Sequence, residues 1–188
     1  MKRLFVGVRP PQVILDYLEA TLQQMRIVFD KSRMEVQWVP QENWHITLCF
    51  LGDIEDEQEN LIIEHLKSFE VDFNEAKVEV SGFSAFPNTN AARVIFADVK
   101  ESRDLISLQT DLEEGLKGVI SFEDQKTFRP HITLGRIRKQ RNVNDVLSTI
   151  SKPKRVKSNI SNVTLFQSTK GTQSSYYQEL YTASFSKA

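Results

Sequence analysis

The tetrapeptide His45-Ile46-Thr47-Leu48 recurs letter for letter as His131-Ile132-Thr133-Leu134. Two of the chain's three histidines head these copies. With 11 threonines in 188 residues, two histidines each followed by Thr two places on is already roughly a one-in-a-hundred coincidence. The shared Ile and Leu make it rarer. Each copy lies in apolar sequence after a loop containing proline, Pro40 and Pro130 respectively. In a β-strand alternate side chains share a face, so each copy would show His and Thr on one side and Ile and Leu on the other. Two such strands side by side would set two histidines and two threonines around one cleft, with the aliphatic faces anchored in the core.

The rest of the chain supplies the frame. Strand-like runs are Leu4–Val8, Glu35–Val39, Trp44–Leu51 (stopped by Gly52-Asp53), Val78–Ser81, Arg93–Val99, Arg129–Ile137, Asn162–Phe166 and Tyr176–Phe185. Apolar residues recur at helical spacing from Val13 to Phe29, behind Pro10-Pro11, and from Asp56 to Phe69. A third helix is expected from a Ser102 cap to Leu116, and a short fourth over Val143–Ile150. Strands outnumber helices without regular βαβ alternation, which predicts an α+β fold with largely antiparallel sheet. No low-complexity stretch or long linker divides it, so residues 1–188 read as one domain.

Composition excludes several classes. At 40% hydrophobic and 26% charged the chain is an ordinary globular sequence. One cysteine, Cys49, allows neither an intrachain disulfide nor a Cys-rich zinc site, and is expected to be inert and buried. The apolar run Leu4–Val8 is too short for a signal sequence or a membrane span, so a cytoplasmic protein with no membrane contact is expected. His65, among Glu59, Glu64 and Lys67, reads as a solvated helix residue with no role.

Opening a phosphodiester needs a base to deprotonate water and an acid to protonate the leaving oxygen. Histidine titrates near neutrality and can serve as either. Threonine hydroxyls can hold non-bridging phosphate oxygens. A metal site would want carboxylates or further histidines where these motifs carry threonine, and no His-Glu-x-x-His occurs, so no metal or cofactor is expected. Net charge is −1, yet Arg129 to Lys157 carries nine basic residues against Asp145 alone, which suits steering of a polyanion such as RNA. Phe50, Tyr176 and Tyr177 are candidates to stack on a base. Trp38, Trp44 and Phe128 are expected in the core.

These residues carry a resemblance to the 2H phosphoesterase superfamily, and within it to the RNA 2′,3′-cyclic phosphodiesterases, also called 2′-5′ RNA ligase-like proteins. It runs through Arg3-Leu4-Phe5-Val6-Gly7-Val8-Arg9-Pro10, Gln37 to Trp44, His45 to Gly52, Phe128 to Arg136 and Val163 to Ser168. The resemblance implies a two-lobed, pseudo-twofold fold with a central cleft. It implies metal-free hydrolysis of 2′,3′-cyclic phosphate ends to 2′-phosphomonoesters, with His45 as proton donor and His131 as proton acceptor. Thr47 and Thr133 would bind the phosphate, and Phe50 and Arg136 would lie near the ligand. Strict alternation puts Arg136 on the face opposite His131, so its role requires a β-bulge between them. RNA ends or related nucleotides are the expected partners; no obligate protein partner is expected, and the chain should act as a monomer. Two alternatives stay open: ligation of such an end to a 5′-hydroxyl, and a module that binds RNA or nucleotide without turnover.

Overall fold

A computed structural model describes residues 1–72, 75–120, 127–150, 155–171 and 175–185, with nine strands and four α-helices among them. The strands are β1 (Lys2–Val8), β2 (Val36–Trp38), β3 (Ile46–Ile54), β4 (Ala76–Phe86), β5 (Ala92–Val99), β6 (His131–Arg141), β7 (Val156–Ile160), β8 (Asn162–Lys170) and β9 (Ser175–Ser184). The helices are α1 (Gln12–Lys31), α2 (Asp56–Asp72), α3 (Arg103–Leu116) and α4 (Asn144–Thr149). Helix α1 begins directly after Pro11 and buries Ile14, Leu18, Leu22, Met25 and Phe29, one residue per turn. Ser102 caps α3 as its spacing predicts, its hydroxyl accepting from the Leu105 N–H at 3.1 Å.

All strands join one sheet in the order β7-β4-β5-β6-β3-β1-β8-β9, with β2 added against β6, and every pairing is antiparallel. The mixed α+β class with antiparallel sheet is as expected. The order interleaves the chain: β6, from the later half, sits between β5 and β3, and β8 lies against β1. Two halves of the sheet meet where β6 runs beside β3, and there the register holds a single pair, Ile46 with Ile132. Those are the matching residues of the two tetrapeptides. Reading outward from that pair, β3-β1-β8-β9 mirrors β6-β5-β4-β7, a pseudo-twofold arrangement.

The apolar face of the sheet is covered by helices. Helix α1 packs against β7 and α4, α2 against β9 and α3, and α3 against β4 and β3. Ile46, Leu48, Ile132 and Leu134 point into this core and are at most 3% exposed. Cys49 is buried there as well.

Several boundaries differ from the sequence reading: β6 runs to Arg141 and β8 to Lys170, each four residues past the expected end. Strand β3 does not stop at Gly52-Asp53 but runs on to Ile54, because Gly52 takes φ +80° and lets the strand continue through the irregularity. Strand β4 runs from Ala76 to Phe86, past the expected end at Ser81. Strand β7 went unseen: Val156-Lys157-Ser158-Asn159-Ile160 is an edge strand with only Ile160 fully buried, so it lacks a hydrophobic signature.

Candidate active site

The register Ile46–Ile132 sets His45 beside Thr133 and Thr47 beside His131, all four on the face away from the core. They line one cleft of about 550 Å³. Both histidines are held alike. The Nδ1–H of His45 donates to the Asn43 carbonyl at 2.8 Å, and that of His131 to the Arg129 carbonyl at 2.8 Å. A carbonyl only accepts, so each ring carries its proton on Nδ1 and offers Nε2 to a ligand. The loop before His45 is fixed in turn. The buried Asn43 amide donates to the Ser175 carbonyl at 2.9 Å, and the Trp44 indole N–H donates to the Val39 carbonyl at 3.0 Å.

Aromatic rings support both histidines. His45 lies 4.7 Å from the Phe5 ring and 5.0 Å from that of Tyr177; His131 lies 4.9 Å from Phe86 and 5.3 Å from Phe96. An arginine stands on each aromatic flank. Arg9 lies 5.2 Å over Phe166 and pairs with Glu179 at 2.7 Å; Arg129 lies 5.0 Å over Phe96 and pairs with Asp98 at 3.2 Å. Burial is the main force on the imidazoles. It pushes His45 down from 6.5 to about 4, with the Arg9 charge adding to the effect and the Asn43 carbonyl opposing it. His131 is lowered by burial too, opposed by the Arg129 carbonyl and by Asp98, its cross-strand neighbour. Both rings are therefore neutral near pH 7.

Matching irregularities re-aim the two strands. In β3, Gly7 pairs with Thr47 but Val6 with Cys49, leaving Leu48 as an extra residue; in β6, Phe96 pairs with Thr133 but Ile95 with Gly135, leaving Leu134 extra. Each bulge shifts the alternation by one. Phe50 and Arg136 thereby join the histidine face, and both line the cleft. The parity conflict over Arg136 is removed at the same leucine of the repeated tetrapeptide in which Phe50 finds its place.

The aromatic candidates divide. Phe50 is 70% exposed at the cleft wall. Tyr176 does not belong there: it is 63% exposed on the other face of β9, and Tyr177 lines the cleft instead. Trp38 is half-buried, with one edge on Phe29 and another in the cleft wall. His65 is not a solvated helix residue either. Its ring is half-buried against Phe69 and Gly115, and burial lowers its pKa. The sequence reading missed Arg9, Arg129, Gln37 and Lys170 as members or neighbours of the site. Arg9 and the Arg129-Pro130-His131 run carried the one available signal, a cation close to each motif.

Similarity to known proteins agrees with this geometry. The family described as LigT like Phosphoesterase matches the chain twice, over residues 16–96 and 98–177. A protein of Archaeoglobus fulgidus named RNA 2′,3′-cyclic phosphodiesterase is 36% identical over 150 residues, 79% of this chain and 81% of its own. One of the same name from Thermotoga maritima is 31% identical over 130 residues, 67% of this chain and 68% of its own. Among solved structures, E. coli LigT complexed with 3′-AMP superposes with a TM-score of 0.75 at 19% identity, covering 99% of both chains. A Thermus thermophilus protein gives 0.76 at 22%, covering 97% of both. Two copies of one motif facing each other across a cleft, on a chain the family matches once in each half, mean that this protein belongs to the LigT-like phosphoesterases of the 2H superfamily.

Proposed function

We propose that this protein hydrolyses the 2′,3′-cyclic phosphate at the end of an RNA chain to a 2′-phosphomonoester, without a metal, the whole chain acting as one monomeric unit in the cytoplasm. The observation that carries this reading is the facing pair of His-x-Thr motifs, each histidine locked with its Nε2 available to a ligand. The relatives named RNA 2′,3′-cyclic phosphodiesterase support the substrate. The donor set supports the metal-free route: among the described residues no three of His, Cys, Asp and Glu are grouped to hold an ion. No helix among them is long and apolar enough to cross a membrane.

In this mechanism the phosphate sits between the two rings, its free oxygens held by the hydroxyls of Thr47 and Thr133 and by Arg136. His131 takes a proton from a water at Nε2 as the water oxygen bonds to phosphorus. The P–O3′ bond breaks and His45 delivers a proton from Nε2 to the 3′-oxygen. Neutral His131 is ready as a base near pH 7. His45, depressed to about 4 by burial, must gain its proton with the substrate, whose anionic phosphate supplies the counter-charge. Phe50 and Tyr177 flank the site and can stack on a base.

The strong depression of His45 favours one second reading, in which the roles are exchanged and His131 is the donor. A short oligonucleotide ending in a 2′,3′-cyclic phosphate, turned over with EDTA present and followed by phosphorus NMR, separates the outcomes. The expected product is a 2′-phosphate at an undiminished rate. A 3′-phosphate would reverse the roles, joining to a 5′-hydroxyl strand would make the protein a ligase, and binding without turnover would make it a module. Loss of activity in EDTA with recovery on adding a divalent ion would sink the metal-free route.

A further inference from the structure

Among the residues lining the cleft there is no Asp or Glu, but three cations: Arg3, Arg136 and Lys170. Among the described residues these three form no ion pair, whereas Arg9 and Arg129, beside the aromatic flanks, are each tied to a carboxylate. The three are not together. Arg136 stands on β6, next to the phosphate position of the proposed reaction. Arg3 and Lys170 lie toward the other end, on β1 and β8.

The register fixes their relation to His45. Phe5 of β1 pairs with Phe166 of β8, and both rings pack near His45, at 4.7 and 6.0 Å. One same-face step along each strand, about 6.6–6.8 Å, leads from Phe5 to Arg3 and from Phe166 to Ser168. A second such step reaches Lys170, whose cross-strand partner on β9 is Ser175. Ser168 has Tyr177 as its cross-strand partner. A rung of donors therefore begins one step beyond the Phe5–Phe166 pair that packs near His45. Lys2, on the opposite face of β1, turns instead to Asp56 and Glu59 of α2. Asp53 is the cross-strand partner of Arg3, but it is exposed, makes no ion pair with it and does not line the cleft.

We propose that Arg3, Ser168 and Lys170 form a second phosphate subsite, which takes the 5′-phosphate of the terminal nucleotide. The inference rests on the cyclic-phosphate reading. A 2′,3′-cyclic phosphate uses both of those hydroxyls, so the chain leaves the last ribose only through its 5′-oxygen. The next anion along the substrate is that 5′-phosphate, and the cations without carboxylate partners nearest His45 on β1 and β8 are the ones to meet it. The opposite end of the cleft, walled by Val39, Pro40 and Val94, offers Arg136 alone. The protein thus reads a terminal nucleotide by two phosphates, and favours an RNA end over a plain nucleoside cyclic phosphate.

Two measurements test this. The first compares kcat/KM for adenosine 2′,3′-cyclic phosphate with and without a 5′-phosphate. A preference on the order of tenfold for the phosphorylated form is expected, falling to about 1 in the Arg3→Ala/Lys170→Ala double variant. The second needs no turnover. Adenosine 2′,5′-bisphosphate should bind more tightly than adenosine 2′-monophosphate by a similar factor, and the double variant should erase the difference. Equal affinities in the wild type would overturn the subsite and leave the proposed activity standing. A preference that survives in the double variant would place the 5′-phosphate elsewhere and also overturn it. Bisphosphate binding that depends on Arg3 and Lys170, with neither cyclic phosphate hydrolysed, would instead overturn the activity alone.

Discussion

At the scale of single residues, the two histidines differ from free imidazole in a way that can be measured. Acting as an acid/base pair, His45→Ala and His131→Ala should each lower the rate by on the order of 10²–10⁴. The double variant should lose little more, because the two groups work in one step. A double loss equal to the product of the singles would mean that they act independently. Stability carries a second signature. His45 titrates near 4 in the folded protein against an ordinary 6.5, so between those values the unfolded chain binds more protons. The contribution is full above about 6.5 and fades as pH falls toward 4, and His131, also lowered, adds in the same direction. Urea midpoints measured from about pH 7 down to 4.5 should fall, and less steeply in His45→Asn. Equal slopes would show that the folded ring is not held neutral. The histidines and threonines were legible in the sequence because they are a repeated chemical word. Tyr177 was not separable from Tyr176, since the choice depends on the phase of β9, which only its pairing with β8 sets.

At the scale of elements, the bulges at Leu48 and Leu134 matter most. Sequence alternation alone places Arg136 on the wrong face; a bulge depends on which strand lies alongside, and that information sits in β1 and β5. The contact between α2 and α3 was hidden for a similar reason. His65 reads as solvated among its charged neighbours, yet fifty residues on, Gly115 leaves room for its ring. A Cβ on Gly115 would lie 1.9 Å from a His65 ring carbon. Gly115→Ala should therefore cost about 1–3 kcal/mol of stability. In a His65→Ala background the sign should reverse, with alanine gaining up to about 1 kcal/mol from its better helix propensity. Denaturant unfolding of the four proteins decides this, and a cost for Gly115→Ala that persists without His65 would refute the packing account. The long helices were legible because α1 and α3 bury whole stripes, whereas edge strand β7, half polar, has no such stripe.

At the scale of the whole molecule, charge is distributed unevenly and the chain is interleaved. Arg138, Lys139 and Arg141 are exposed on β6, the strand that carries His131. Reversing their charges should flatten the salt dependence of binding to longer RNA, read as the slope of log affinity against log salt. An unchanged slope would mean that the run is a solvated surface only. The antiparallel α+β class was legible, but the strand order was not, because β6 enters between β5 and β3 from far along the chain. That insertion has a consequence for a chain made from its N-terminus. The pairs β1–β3 and β4–β5 can close while synthesis is still under way, but a gap stays between them until β6 emerges. His45 is therefore made early and meets its counterpart late. β8 and β9, which complete its surroundings with Phe166 and Tyr177, arrive later still. The nascent protein therefore holds half a site until β6 emerges, and catalytic competence comes only once β9 has followed rather than growing with length.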